Sequence, residues 1–146
     1  MIKRLLPLLI VALFFICKPT SGQEIKNLVL TDHLAGSSKL GYGKPKPAPA
    51  KENFTLVTEG KGTQVMVYVD LVPNEDLQDP YILKFIAYKI VNGKDEWIDD
   101  RELPAKNTAD YTLTAFNFFE PGSYKIVVTD HTGTKILSQK KFTILK

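Results

Sequence analysis

The imidazole bases that could activate a nucleophile are few and scattered in this 146-residue chain. Its two histidines, His33 and His131, lie far apart, and His131 falls in a run of turn-forming residues, Asp130 to Gly133. Nucleophilic catalysis needs a serine, threonine or cysteine beside such a base. The sequence also lacks the Gly-x-Ser-x-Gly turn that presents a serine in many hydrolases. We therefore predict that the protein is not an enzyme.

Oxygen ligands for a metal ion are better clustered than nitrogen or sulfur ligands. Asn74, Glu75, Asp76 and Asp79 lie within six residues, between two predicted strands, and together could wrap a calcium ion. Their spacing matches no established calcium loop, and a charged connector of this kind is usually solvated. Two distant histidines do not by themselves make a zinc or copper site. We therefore predict no metal and no cofactor, and leave open a weak calcium site in this connector.

Aromatic side chains would serve a different chemistry if they were exposed, namely the stacking of sugar rings or flat ligands. Trp97, Tyr88 and Tyr111 are the candidate ligand-binding residues on this ground, with Tyr68 as a further aromatic neighbour. Each also lies where a sandwich core or a cross-strand pair would use an aromatic ring. One observation separates the two interpretations, because a binding platform requires Trp97 and its tyrosine neighbours to be exposed in one row.

The N-terminus has the pattern of a secretory signal peptide. Lys3 and Arg4 precede an apolar run of about a dozen residues, which is too short for the roughly 20 residues that span a membrane. Thr20 and Gly22 supply small residues at the −3 and −1 positions, which predicts cleavage before Gln23. Cys17 raises the alternative of a bacterial lipoprotein, but bulky residues precede it where the peptidase requires small ones. We therefore expect a secreted or periplasmic protein with no transmembrane segment after the signal is removed.

Removal of residues 1–22 changes the charge of the chain. Lys3, Arg4 and Lys18 leave, so the 19 basic residues become 16 and equal the 16 acidic residues. A neutral protein offers no electrostatic basis for binding nucleic acid. The single cysteine is also lost, so the mature chain cannot form an internal disulfide. Asn53 begins an N-glycosylation sequon, which would matter only in a eukaryotic secretory pathway.

The elements that must position these residues are short strands. Alternating apolar residues predict strands over 25–31, 54–58, 64–71, 81–91, 96–98, 111–115, 126–128 and 136–145. Asn92-Gly93 predicts a tight hairpin, and Asp130 to Gly133 predicts another. We assign residues 23–52 to an N-terminal strand and a linker rich in Pro, Gly and Lys, and residues 53–146 to one domain. No long helical period is visible, so the sequence predicts an all-β antiparallel sandwich of about seven strands.

One segment of the chain resembles a known superfamily. The run from Phe119 to Val128 is similar to the E–F corner and F strand of immunoglobulin-like and fibronectin type III-like domains. In that superfamily a turn with glycine precedes a tyrosine whose hydroxyl caps the corner, and Tyr124 matches this tyrosine. Trp97 would then stand for the core tryptophan of the family, although it comes late in the sequence for that position. The resemblance covers residues 53–146 and implies the fold alone.

Export, a β scaffold and the lack of catalytic motifs together favour a non-enzymatic binding or assembly module. Its partner would be an unidentified protein or carbohydrate, reached through sheet edges or end loops. A carbohydrate- or small-ligand-binding module that uses the exposed aromatic residues is the alternative.

Overall fold

A computed structural model describes residues 22–35, 45–57 and 60–146. The predicted signal peptide, Cys17 and much of the Pro/Gly/Lys-rich segment lie outside these residues, apart from Gly22 and the stretch after position 44. The described part of the chain contains ten strands and no helix, and seven of these strands have seven or more residues. The strands are β1 (Ile25–Thr31), β2 (Leu34–Ala35), β3 (Lys46–Pro47), β4 (Asn53–Thr55), β5 (Thr63–Leu71), β6 (Tyr81–Val91), β7 (Lys94–Ala105), β8 (Tyr111–Phe118), β9 (Gly122–Asp130) and β10 (Ile136–Leu145).

Two sheets build the molecule, as the all-β prediction required. One sheet has the order β1-β5-β8, and the other has the order β4-β10-β9-β6-β7. Strands β2 and β3 form a separate small ribbon. All pairings in the two large sheets are antiparallel except that of β4 with β10, which is parallel. This arrangement is an immunoglobulin-like sandwich, and it confirms the predicted fold class.

The core lies between the sheets and follows from the alternation along each strand. Val65, Val67 and Val69 of β5 point inward from one sheet, and Leu83 and Phe85 of β6 point inward from the other. All five side chains are almost completely buried. A β-strand directs successive side chains to opposite faces, so the residues between them lie on the outer faces.

Tyr124 caps the corner between β8 and β9. Its ring is buried, packs against Phe118 and Phe142 with centroid distances of 4.7 and 5.6 Å, and directs its hydroxyl to the backbone. That hydroxyl donates a hydrogen bond of 2.7 Å to the carbonyl oxygen of Glu120. Burial raises the pKa of Tyr124 above its ordinary value. The tyrosine corner predicted from the sequence is therefore present.

Two tight hairpins connect long strands at the predicted places. Asn92 and Gly93 both have positive φ angles, of 52° and 75°, which is the backbone form of a type I′ turn between β6 and β7. In the second hairpin, Asp130 accepts a hydrogen bond from the Thr132 hydroxyl, and this bond lowers the pKa of the Asp130 carboxyl. Local turn chemistry therefore fixes the register of the adjacent strands.

Strand β1 belongs to the sandwich, although the sequence placed residues 23–52 before the domain. It pairs with β5 from Ile25↔Leu71 to Thr31↔Met66, and Leu28 and Leu30 lie in the common core. The segment after β3 then crosses from one sheet to the other. Lys51 N donates to Leu30 O at 2.9 Å, and Thr143 N donates to Glu52 O at 2.8 Å. This side of the sandwich is thereby closed.

Strand β7 is much longer than the predicted strand at 96–98. The prediction ended it at the charged residues after Ile98 and placed a loop from Pro104, but β7 continues to Ala105. The reason is its position, because β7 is the last strand of its sheet. Charged side chains and a proline are tolerated on an edge strand, which has one side without a strand partner.

Candidate functional site

Trp97 is exposed on the outer face of the five-stranded sheet. It retains 62% of its accessible surface, so the expectation that it fills the core tryptophan position of the family is wrong. A bulge at Ile98 shifts the register of β7, which brings Trp97 opposite Tyr88 and Asp100 opposite Ile86. Ile98 packs against the core instead. Phe85, on β6, is one of the aromatic residues of this sheet that are buried in the core.

Neighbouring side chains hold Trp97 and Tyr88 in place. The indole Nε1 of Trp97 donates to Asp100 Oδ1 at 3.1 Å, and Asp100 also pairs with Lys84 at 3.2 Å. The Nζ of Lys125 lies 5.5 Å from the centroid of the Tyr88 ring, where a cation–π attraction operates. Trp97, Tyr88 and Lys125 therefore form a row across β7, β6 and β9, which we call the outer-face row.

Tyr111 does not join this row. It lies on β8, in the other sheet, where its ring stacks on Tyr68 with a centroid distance of 5.8 Å and an interplanar angle of 8°. Tyr68 is buried on the outer face of that sheet. The structure therefore brings two of the three candidate aromatic residues together and places the third in a different surface.

The other candidates from the sequence occupy separate loops. His33 and His131 are both exposed, and His33 Nδ1 lies 2.5 Å from Asp32 Oδ1. In the acidic connector, Asn74 Oδ1 accepts a hydrogen bond from Asp76 N, and Asn107 Nδ2 donates to the carbonyl oxygens of Glu75 and Leu77. Within residues 22–35, 45–57 and 60–146, no group of three or more His, Cys, Asp or Glu side chains is arranged to hold a metal ion.

A cleft at one end of the sandwich was not anticipated from the sequence. It has a volume of about 470 Å³, and its lining includes Gln23, Leu77, Tyr81 and His131. Tyr81 Oη and Gln23 Oε1 are buried and have no hydrogen-bond partner in the described part of the chain. Burial raises the pKa of Tyr81 to about 12. Because these residues come from distant parts of the sequence, no local motif could have pointed to the cleft.

The two edge strands on the side opposite β1 differ in composition. Strand β7 carries seven charged residues among its twelve, and Pro104 as well. Strand β8, Tyr-Thr-Leu-Thr-Ala-Phe-Asn-Phe, carries no charge and no proline. No sequence motif marks β8 as an edge, because an edge is defined by the order of strands in the sheet.

Comparison with known proteins supports the fold. No family model and no curated protein matches this chain. Among solved structures, an immunoglobulin-like protein from Pseudomonas aeruginosa aligns with a TM-score of 0.52 and 16% identity, over 87% of this chain and 99% of that one. A β-glucosidase from Listeria innocua aligns at a TM-score of 0.45 and 10% identity, and the match covers only 17% of the enzyme. A CARDB domain from Pyrococcus furiosus aligns at 0.41 and 14% identity, over 87% of this chain and 97% of that domain. The chain is an all-β protein with an immunoglobulin-like sandwich fold.

Proposed function

We propose that this protein is an exported, non-enzymatic recognition module that binds its partner through the outer-face row. The observation that carries the proposal is the 62% exposure of Trp97 within strand β7. Large aromatic side chains at protein interfaces contribute much of the binding energy, and tryptophan is the most enriched of them. An indole that is exposed and also fixed in orientation gives up little conformational freedom on binding.

The surroundings of Trp97 favour recognition of a partner with both apolar and polar groups. The Trp97 indole and the Tyr88 ring opposite it supply the apolar part of this face, while Asp100, Lys84 and Lys125 supply charges beside them. An apolar centre with a polar rim is the usual composition of a protein-binding surface.

The described residues contain no helix that could span a membrane.

The export part of the proposal rests on the charged and apolar start of the sequence. Intact-mass measurement of the protein recovered from its native host should give a chain that begins at or within a few residues of Gln23. A mature chain that begins at a lipidated Cys17 would show a lipoprotein and refute plain secretion.

The binding part is tested by crosslinking at the proposed surface. A photo-crosslinking residue at Glu102, an exposed position of β7, is introduced with either Trp97 or Trp97→Ala. We expect one discrete adduct in the native host when Trp97 is present and at least about a thirtyfold loss when it is replaced, the equivalent of one hot-spot residue of about 2 kcal/mol. The same residue at Lys26 on β1 is the control. Equal adducts at both positions, or no effect of Trp97→Ala, would rule out this surface.

Carbohydrate binding is a second candidate, because Trp97 and Tyr88 form a cross-strand aromatic pair. Trp97 is the only tryptophan of the chain, so its fluorescence reports on this surface alone. Titration with soluble oligosaccharides, including fragments of cellulose, chitin and peptidoglycan, should shift the emission and give an affinity that Tyr88→Ala weakens. An unchanged emission spectrum at millimolar concentrations of every sugar would exclude stacking on Trp97 and leave a protein partner.

A further inference from the structure

Strand β8 presents an edge that is open for pairing. In the described ranges of the chain, β5 is the only strand that pairs with β8, and the other side of β8 has no strand beside it. Alternate residues of an edge strand point their backbone N–H and C=O groups away from the sheet, where they form a template for another strand. The eight residues of β8 carry no charge to oppose such pairing.

The other edges of the sandwich are protected. Strand β7 has its seven charged residues, its proline and a bulge at Ile98. Strand β4 has only three residues. The edge of β1 that faces away from β5 is covered, because its carbonyl oxygens at Leu28 and Leu30 accept hydrogen bonds from Lys140 Nζ and Lys51 N. Short strands, charges, proline and bulges are the usual means of preventing edge-to-edge association. Strand β8 uses none of them.

The strand orders leave a position for one more strand beside β8. Strand β1 contacts β10, and the two sheet orders then stack β5 over β9 and β8 over β6. This leaves β7 with no strand opposite its inner face. The Arg101 side chain of β7 reaches into this space and lies 5.0 Å from the centroid of the Phe116 ring on β8. Leu103 of β7 is partly buried against the core from the same side.

We propose that the β8 edge accepts an extended strand of about eight residues from a partner protein, by strand addition. Residues of this strand that face inward would lie beside Thr112, Thr114 and Phe116 of β8 and above β7. They should be uncharged, because they would lie against the Arg101 guanidinium and beside the partly buried Leu103 of β7. The surface is independent of the outer-face row, since β8 belongs to the other sheet.

A second copy of this chain fits the edge less well than a single strand. If two copies joined through β8, their three-stranded sheets would form one continuous layer. In the second layer, each β7 extends beyond its own β8 and would occupy the space of the β6–β7 pair of the other copy. A lone strand meets no such obstacle.

The test mixes the mature protein with a peptide that has the sequence of residues 64–69. A pair of lysines at each end of the peptide keeps it soluble. Residues 64–69 already pair with β8 from the β5 side, so their pattern is one that β8 accepts. Amide exchange measured by NMR should show at least about tenfold slower exchange for alternate residues of 112–118 when the peptide is added. The control peptide has lysine in place of the three inward-facing valines and should give no protection.

Charge on β8 should block the addition. Ala115→Lys and Asn117→Lys each place one lysine on the outer face of β8. Asn117 is already exposed, so Asn117→Lys should fold and can test the edge if Ala115→Lys does not fold. Each should weaken peptide binding at least about tenfold. Gln64→Lys adds the same charge to the same face on the interior strand β5 and should leave binding unchanged.

Three outcomes would overturn the proposal. The first is that millimolar peptide protects no amide of β8, and the second is that it protects another edge instead. The third is a concentration-dependent dimer in sedimentation that Ala115→Lys abolishes, because this would assign the edge to a second copy of the chain. Selective protection of β8, lost in both lysine variants and kept in Gln64→Lys, supports strand addition.

Discussion

The two sides of the sandwich are built differently. On the closed side, which consists of β1, β4 and β10, residues 51–52 cross between the sheets and bond to both. On the open side, which consists of β7 and β8, the described contact between the strands is the Arg101 guanidinium over the Phe116 ring. The closed side buries apolar side chains and satisfies backbone groups, whereas the open side exposes Trp97 and an unprotected edge. Both sides contribute to the core, so the difference is that a crossing segment seals one side while the other leaves surfaces available for partners.

The largest effect should come from removal of the closed side. A chain that starts at Lys51 lacks β1 and the burial of Leu28, Val29 and Leu30. At about 1.5–3 kcal/mol for each buried side chain, the loss is comparable with the whole stability of a small domain, about 5–15 kcal/mol. We expect this chain to be unfolded by circular dichroism and by urea titration.

A chain that starts at Gln23 is the control, and it should unfold as the longer protein does. If the chain from Lys51 instead folds cooperatively with a modest loss of stability, residues 53–146 form an independent domain and β1 is an accessory strand.

The next effect concerns Tyr124, which ties β8 of the open side to the core. Tyr124→Ala removes a ring that packs on Phe118 and Phe142, and it should cost about 3–5 kcal/mol. Tyr124→Phe keeps the ring but removes the hydrogen bond to Glu120 O, at a cost of about 1–3 kcal/mol. Urea unfolding of both variants measures these values. A cost below about 0.5 kcal/mol for Tyr124→Phe would show that the corner hydrogen bond does not stabilise the fold.

Replacement of Tyr81, at the start of β6, by phenylalanine should raise the stability of the protein, whereas Tyr124→Phe should lower it. The buried Tyr81 hydroxyl has no hydrogen-bond partner in the described residues, so Tyr81→Phe removes an unpaired polar group and should stabilise the protein by about 1 kcal/mol. A clear loss of stability in this variant would show that the hydroxyl is hydrogen-bonded in solution. Tyr124→Phe is the matched comparison, because the same atom is removed from a paired site.

The dependence of the free energy of unfolding on pH above about 10 tests the same residue. The folded-state pKa of Tyr81, about 12, lies above the ordinary value of about 10, so folding favours the neutral phenol. This contribution is complete below pH 10 and is lost as the pH rises through the folded-state pKa. The free energy of unfolding should therefore decrease between about pH 10 and 12, and Tyr81→Phe should reduce the decrease. Tyr124 contributes in the same direction, because burial raises its pKa too.

Much of the strand framework could be predicted from the sequence. Strands β1, β6 and β10 have the predicted bounds, since apolar residues alternate along them or occupy both faces and turn residues end them. The three strands of two or three residues, β2, β3 and β4, are too short to show a period, and only β4 was partly anticipated. The tyrosine corner could be predicted because a local turn positions it.

The open side could not be predicted in the same way. Strand β7 was cut short because its charged residues look like a loop until the strand is known to be an edge. The superfamily resemblance implied a core position for Trp97, because no local pattern reveals the bulge at Ile98 that helps to direct the ring outward. The open edge of β8 depends on strand order, which is a property of the whole fold.

The smallest effect on stability should come from Trp97 itself. Because the indole is mainly exposed, Trp97→Ala should change the free energy of unfolding by less than about 0.5–1 kcal/mol, as for other surface substitutions. His131→Ala, in an exposed hairpin loop, is the control and should stay within about 0.5 kcal/mol. Urea unfolding followed by circular dichroism measures both, since the Trp97→Ala variant has no tryptophan fluorescence. A cost of about 3–5 kcal/mol, the range for a buried aromatic residue, would place Trp97 in the core in solution and remove the basis for the outer-face row. A neutral result means that stability does not explain a large exposed aromatic residue here, and binding is then the role that its exposure supports.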